Sequence, residues 1–218
     1  MLSGSLTTTD YFSIERAKEV QKLLAKKVDR TSKLDKINSV VGLDLSYSKN
    51  VGIAVAVLLD FPQLNLREYA VVKGVVEIPY IPGLLAFREA PLMVKAYEKL
   101  GHEADLIVVD GHGVTHPREF GVASHVGLML DRPTIGVAKN LLYGNIIRGS
   151  DGTEYIVVNN NIGGFIYISL GKKLYISIGH KISIESLKSI TPQLFKSHYL
   201  PEPTYIADVI SKKFRRSQ

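Results

Sequence analysis

The residues most able to do chemistry gather in one stretch, Leu106–Arg118, reading Leu-Ile-Val-Val-Asp-Gly-His-Gly-Val-Thr-His-Pro-Arg. Its four leading apolar residues, three of them β-branched, predict a short strand buried on both faces. That strand runs into Asp110 and then into a loop, punctuated by Gly111 and Gly113, that carries His112, His116 and Arg118. A carboxylate at the end of a buried strand costs free energy unless something pairs with it, and a metal ion is one such partner. Histidine and arginine are side chains that contact phosphates, and a histidine can also move a proton. The question for the rest of the chain is which groups converge on Asp110.

Asp44 lies inside Val-Val-Gly-Leu-Asp-Leu-Ser-Tyr. An ionised carboxylate in a buried strand needs compensation, and the alternative is an edge strand with Asp44 facing water. Glu89, beside Arg88, falls near an expected helix start, where the helix dipole alone favours glutamate. It matters only if it meets Asp44 and Asp110. Lys139 follows a short strand pattern at Pro133–Val137 and would set a cation beside these acids. Asp208 lies on the last expected helix, where an ion pair with Lys212 accounts for it equally well. His125 reads as a core or surface histidine. Tyr80, held in Pro-Tyr-Ile-Pro-Gly, is either a fixed wedge for a base stack or a ring packed under its own loop.

Composition narrows the chemistry. The chain has no cysteine, so any metal is held by oxygen or histidine. Clustered carboxylates beside a lysine suit Mg²⁺, with Mn²⁺ able to substitute, and phosphodiester hydrolysis uses that set. A formal charge of +6 suits a polyanionic partner, nucleic acid first. Lys22, Lys26, Lys27, Arg30 and Lys33 cluster near the start, and Lys212, Lys213, Arg215 and Arg216 near the end; each cluster reads as a solvated face or as phosphate contacts. The longest strongly apolar run, Val51–Leu59, is far short of the ~20 residues of a membrane span. No signal-peptide plan opens the chain, so cytoplasmic residence is the expectation.

The positioning elements follow from periodicity. Thr8, Thr9 and Asp10 are expected to cap a helix carrying Ile14, Ala17, Leu24 and Val28, within about residues 1–30. Val40–Tyr47, Gly52–Leu59 and Leu66–Ile78 predict an antiparallel meander, its first pair joined at Ser48-Lys49-Asn50. Pro79 to Gly83 interrupts the pattern, and a helix follows with Pro91 in its first turn. Asp105–Asp110 is the next strand, and Pro117 is expected to open a helix running to about Leu130. Strands at Tyr155–Val158, Phe165–Leu170 and Lys173–Ile178 come next, with turns at Asn159–Gly164 and Gly171-Lys172. A short helix near Ile184–Ser189 precedes a last helix led by Leu200-Pro201-Glu202-Pro203, which runs to about Phe214. This order describes an α/β fold, a central mixed sheet flanked by helices, in one domain over 1–218. Sites in such sheets form beyond the carboxyl ends of strands, where Asp110 and Lys139 both fall.

Four blocks carry a resemblance: Gly42 to Tyr47 (Gly-Leu-Asp-Leu-Ser-Tyr); Pro79 to Glu89 (Pro-Tyr-Ile-Pro-Gly-Leu-Leu-Ala-Phe-Arg-Glu); Asp110-Gly111-His112-Gly113 with His116-Pro117-Arg118; and Gly136-Val137-Ala138-Lys139. Together they resemble the endonuclease V family, hypoxanthine-directed nucleases, over Val41 to about Lys212. The resemblance implies a ribonuclease H-like fold and a monomer that cuts DNA containing deoxyinosine. The implied cut is at the second phosphodiester bond 3′ to the lesion, leaving a 3′-hydroxyl and a 5′-phosphate. Inosine-containing RNA is the alternative substrate. It implies Asp44 and Asp110 as metal ligands with Glu89 and Asp208 completing the set, His116 and Lys139 working near the scissile phosphate, and Arg88 and Arg118 contacting phosphates. Tyr80 resembles the family's wedge, and Ile81, Gly83, Leu85, Gly111, Gly113 and Ala138 would build the pocket for a flipped base. Two features fall outside this scheme: Tyr205 stands where the family usually carries an arginine, and His112 has no assigned role. Two rivals were weighed. An actin-like kinase needs a second half for which 218 residues leave no room, and a silent binder of inosine-containing RNA fits poorly with the intact carboxylates.

Overall fold

The computed structural model describes residues 12–216. Three β-rich runs form the expected meander: β1 (Ser39–Ser48), β2 (Val51–Asp60) and β3 (Leu66–Val75) pair antiparallel in turn. A two-residue turn joins β1 to β2, with Lys49 at φ 54°. β4 (Leu106–Asp110) then lies parallel to β1, and β5 (Thr134–Ala138) parallel to β4. The other edge is a second antiparallel run: β6 (Asn145–Arg148), β7 (Glu154–Val158), β8 (Asn161–Ser169) and β9 (Lys172–His180), with β9 against β5. The sheet order is β3-β2-β1-β4-β5-β9-β8-β7-β6. This is the mixed sheet expected, with its parallel strands at the centre.

Period-two alternation assigns each face its own core. In β1 and β4, Val40, Leu106 and Val108 enter one core together with Leu187 and Ile190 of α4 (Ile184–Ile190) and Ala207 of α5 (Glu202–Arg216). Val41, Leu43, Ile107 and Val109 enter the other, against Ala86, Ala90 and Met93 of α2 (Leu85–Lys99) and Val122, Ala123 and Val126 of α3 (Val122–Leu130). The remaining helix, α1 (Ile14–Ala25), is capped by Ser13, whose hydroxyl accepts the Arg16 amide at 3.3 Å. Among the described residues no helix is long and apolar enough to cross a membrane.

Several expectations are corrected. Thr8, Thr9 and Asp10 lie outside the described residues, and α1 is shorter than the 1–30 segment expected. Asp44, by contrast, holds the buried position that its apolar neighbours indicated, since β1 lies between β2 and β4 and Asp44 is only 6% exposed. α2 begins at Leu85, so Pro91 falls inside the helix rather than in its first turn. Proline there forgoes a hydrogen bond and crowds the preceding turn, at a cost of about 3 kcal/mol. Ala86, Ala90, Leu92, Met93, Val94, Ala96 and Tyr97 are all buried along α2, which offsets that cost. Arg88 and Glu89 therefore lie further into the helix than expected. α3 does not start at Pro117. The Gly121 amide bonds the Gly113 carbonyl at 2.9 Å and the Ala123 amide bonds that of His112 at 3.0 Å, so this backbone is held by the preceding loop until Val122. The β7–β8 turn is Asn159-Asn160, both at positive φ, rather than the longer Asn159–Gly164. β6 was not foreseen, because all four of its residues are exposed and carry no alternation.

Gly42 shows how tightly α5 is seated: a Cβ on it would overlap the Pro203 backbone. Gly42→Ala is expected to destabilise the fold by about 1–3 kcal/mol through overpacking, read as a lower denaturant midpoint with unchanged slope.

Candidate active site

Strand register brings the first two carboxylates together. Leu43 pairs with Val109 across parallel strands, so the next residues, Asp44 and Asp110, stand side by side. Both point to the α5 face, as Val40, Leu106 and Val108 do. Ser211 of α5, itself fully buried, donates to Asp44 Oδ2 at 2.7 Å. Burial chiefly, then the charges of Asp110 and Asp208, push the Asp44 carboxyl up to about 6 against the opposing pull of Ser211 and Lys139. Asp110 is likewise raised by burial, with Lys139 opposing; Lys139 Nζ lies 3.5 Å from Asp110 Oδ2. Burial pulls the Lys139 ammonium down, but Asp110, Tyr199 and Asp208 together outweigh it, and the net direction is upward.

Glu89 reaches the same centre from α2. Burial raises its carboxyl to about 7, the Tyr47 hydrogen bond lowers it, and Asp44 and Asp110 raise it further. Tyr47 Oη donates to Glu89 Oε1 at 3.0 Å and accepts from Arg88 Nε at 2.9 Å, while the guanidinium lies 4.3 Å from the Tyr47 ring centroid. Asp208 pairs with Lys212 at 2.7 Å, as its helical spacing allowed. Its charge also acts on both Asp44 and Asp110, so it belongs to the cluster as well. The donor set is chemically right for a hard divalent cation: carboxylate oxygens, desolvated and mutually repelling. Among the described residues no group of three or more histidine, aspartate or glutamate side chains stands close enough together to hold a metal ion, so the adjacent pair Asp44 and Asp110 is the nucleus of the set.

Beside the carboxylates lies a small, mainly apolar cavity of about 140 Å³. Gly83, Leu85 and Gly111 line it, joined by Gln21, Tyr80, His112, His116 and Leu142. Ile81, Gly113 and Ala138 are not in its wall. Ile81 instead closes the turn, accepting the Leu84 amide at 2.9 Å. Gly113 is packed so closely that a Cβ would strike the Ile178 carbonyl, and Ala138 is buried at the end of β5. Tyr80 is 68% exposed at the mouth, not folded under its own loop.

The cavity's shape depends on one carbonyl. Gly83 O receives Arg118 Nη2 at 2.7 Å, Gln21 Nε2 at 3.0 Å and His116 Nε2 at 3.0 Å. Arg118 Nε also donates to Gln21 Oε1 at 2.6 Å. The Arg118 amide donates to His116 Nδ1 at 3.1 Å, which leaves the ring proton on Nε2. Burial chiefly, with the nearby Arg118 charge, holds the His116 imidazole down to about 4. Both His116 nitrogens are thus engaged, and it serves as a clamp on the loop rather than as a free proton shuttle. Arg118 and Arg88 are engaged too, Arg88 donating to Tyr47 and to the Ile78 carbonyl, so each guanidinium is held in a fixed direction by two of its five N–H donors. His112 acquires a place: its Nε2 bonds the Asn140 carbonyl at 2.9 Å and Nδ1 the Thr115 hydroxyl at 2.9 Å, tying two loops at the cavity wall. His125 packs between Phe87 and Phe120 in the core, where burial holds it down to about 4.

Gln21, Tyr47, Ser211 and Leu142 were missed. Gln21 had a signal, a polar residue one helical turn after Ala17 on the buried stripe of α1. Ser211 and Tyr47 had none, since their partners come from distant segments. Tyr205, in the place of an arginine, stacks on His198 with centroids 3.5 Å apart and planes at 16°.

Comparison with known proteins shows the family and the fold. The endonuclease V family model matches residues 22–209. Endonuclease V of Thermosipho melanesiensis is 40% identical over 207 residues, covering 93% of this chain and 91% of its own. That of Sulfolobus acidocaldarius is 40% identical over 212 residues, covering 95% and 98%. Among solved structures, endonuclease V from Streptomyces avermitilis superposes with TM-score 0.86 at 32% identity, over 100% of this chain and 97% of the other. Ciona intestinalis endonuclease V, solved with a 24mer DNA containing an inosine followed by a ribo-adenosine, gives 0.82 at 26% identity, over 94% and 98%. The chain belongs to the endonuclease V family.

Proposed function

We propose that this protein is a divalent-metal-dependent endonuclease that recognises deoxyinosine in DNA and hydrolyses the second phosphodiester bond on its 3′ side, leaving a 3′-hydroxyl and a 5′-phosphate. The observation that carries the reading is the adjacent buried pair Asp44 and Asp110 beside Lys139, with Glu89 and Asp208 near enough for their charges to be felt, next to a separate apolar cavity fronted by Tyr80. The Ciona relative's complex with inosine-containing DNA supports the substrate class.

In this mechanism a displaced base enters the cavity and Tyr80 fills the gap it leaves in the stack. Extrusion costs a few kcal/mol, less for a weakly paired base, which itself favours hypoxanthine. Gln21, Arg118 and His116 hold the Gly83 carbonyl and so keep the cavity's edge from collapsing or widening. Asp44, Asp110, Glu89 and Asp208 would hold Mg²⁺, or Mn²⁺ in its place, and the bound cation supplies Lewis acidity and an activated water at the scissile phosphate. Ser211 and Tyr47 fix the directions of Asp44 and Glu89. Lys139, already oriented by Asp110, offers positive charge to the phosphate oxygens as negative charge develops.

Cleavage of labelled duplexes with and without one deoxyinosine tests the whole reading. Cutting is expected only with the lesion and only with Mg²⁺ rather than EDTA, and Asp110→Ala is expected to lose about a hundredfold or more in rate. Equal cutting of both duplexes would refute lesion recognition, and undiminished activity in Asp110→Ala would refute the site. A parallel inosine-containing RNA decides between the DNA and RNA substrates. Tyr80→Ala is expected to weaken lesion binding by about 1–3 kcal/mol while slowing the bound-complex step less; the reverse pattern would remove the wedge. Gln21→Ala leaves the Arg118 guanidinium and the Gly83 carbonyl each short of a partner, at about 1–3 kcal/mol. Its expected signature is a raised KM for the lesion substrate with kcat nearly retained, measured in steady-state kinetics.

A further inference from the structure

On the α5 side of the sheet, past the carboxylates, stands a lysine with an unusual partner. Lys172 opens β9 directly after the turn at Leu170 and Gly171, both at positive φ. β9 runs antiparallel to β5, with Tyr175 opposite Ala138, so this turn projects beyond the sheet at the end that carries Asp110 and Lys139. The adjacent Lys173 is paired with Glu154 at 3.2 Å. Lys172 has no ion pair among the described residues; its ammonium lies 4.2 Å from the centroid of the Tyr199 ring. Tyr199 in turn is near enough to Lys139 to act on its charge. Lys172 and the ring it rests on therefore stand at the same end of the sheet as Lys139 and Asp110.

The pair's position gives it direction. Tyr199 and Tyr205 pack against the core under α4 and α5, whereas Leu85, Ala86 and Val122 of the base cavity belong to α2 and α3 on the opposite face. Tyr199 is itself held in place, since the neighbouring His198 is stacked on Tyr205 and bonded to Glu202 at 3.2 Å. A strand that places a base in the cavity and its phosphate over Asp110 and Lys139 continues onto Tyr199 and Lys172. Exposed cations interleaved with aromatic rings are how proteins follow a nucleic-acid backbone without reading its sequence.

We propose that Lys172 and Tyr199 form a nucleic-acid backbone track that extends from Lys139 on the side of the cut remote from the base cavity, with Lys172 neutralising one phosphate and the Tyr199 ring supporting the adjoining sugar or base. This rests on the endonuclease reading above. The test is fluorescence anisotropy of labelled duplexes, with and without one deoxyinosine, titrated in EDTA across a range of NaCl concentrations. Lys172→Ala is expected to weaken binding about three- to tenfold and to lower the slope of log affinity against log salt by about one, and Lys172→Glu to weaken it more. Tyr199→Ala is expected to weaken binding with little change in slope, and Tyr199→Phe, which keeps the ring, to restore the native affinity. Melting curves matched to the native chain establish that each variant is folded. A native salt slope in both Lys172 variants overturns the track, as does equal loss in Tyr199→Phe and Tyr199→Ala. Failure of the parent reading is separately visible, because a native chain that binds and cuts both duplexes alike loses its lesion specificity while the Lys172 slope is still measurable on either duplex.

Discussion

Everything at this site follows from two carboxylates held side by side by the parallel pairing of β1 and β4. The register that sets Leu43 against Val109 leaves no freedom to separate Asp44 from Asp110. A one-residue slip of either strand would turn its carboxylate to the other face of the sheet and separate the pair. The register is in turn fixed by burial on both faces, with Val40, Leu106 and Val108 on one side and Val41, Ile107 and Val109 on the other. Hydrophobic patterning far from the reacting atoms thus maintains an arrangement that electrostatics alone would disperse. The raised carboxyls of Asp44, Glu89 and Asp110 are the record of that conflict.

The second element, the apolar cavity, uses a different device. Its edge is irregular backbone, and three side chains from α1 and the loop after β4 converge on the Gly83 carbonyl to hold it. Side chains that look available for phosphate or proton chemistry are engaged in this framework. Arg118 and His116 shape the cavity; Arg88 fixes Tyr47, which fixes Glu89. Lys139 is oriented by Asp110, and a small number of residues supply architecture for both halves of the site.

What was legible in the sequence was whatever local pattern controls. Apolar runs gave the meander, β4 and β5, and the carboxylates at strand ends were visible because ionised groups are costly there. Asp44, Asp110 and Lys139 could be placed from that reasoning alone. Glu89 and Asp208 could not, since each has an adequate local explanation and joins the cluster only through packing of α2 and α5 on opposite faces. The start of α3 was misplaced because Pro117 is a good helix opener locally, yet tertiary hydrogen bonds to His112 and Gly113 hold the chain open until Val122. Gln21 and Ser211 act on partners 62 and 167 positions away; the buried stripe of α1 marks Gln21 as unusual but names no partner, and nothing local marks Ser211.

The cavity and the carboxylates are joined by a rigid element, and this bears on where a strand is cut. Leu85 lines the cavity and Glu89 stands at the carboxylates, four residues apart on α2. At 1.5 Å per residue that is about 6 Å along a single helix, with Gly111 lining the cavity immediately after Asp110 on the other side. Neither link contains a hinge: α2 is buried along much of its length, and Gly111 is bonded through its amide to the Val137 carbonyl at 2.8 Å. On the proposed function, a base seated in the cavity would meet the carboxylates at a set offset, whatever the flanking sequence. Cleavage at a fixed distance from that base would then need no conformational measurement, because one turn of α2 and one peptide unit after β4 already define the spacing.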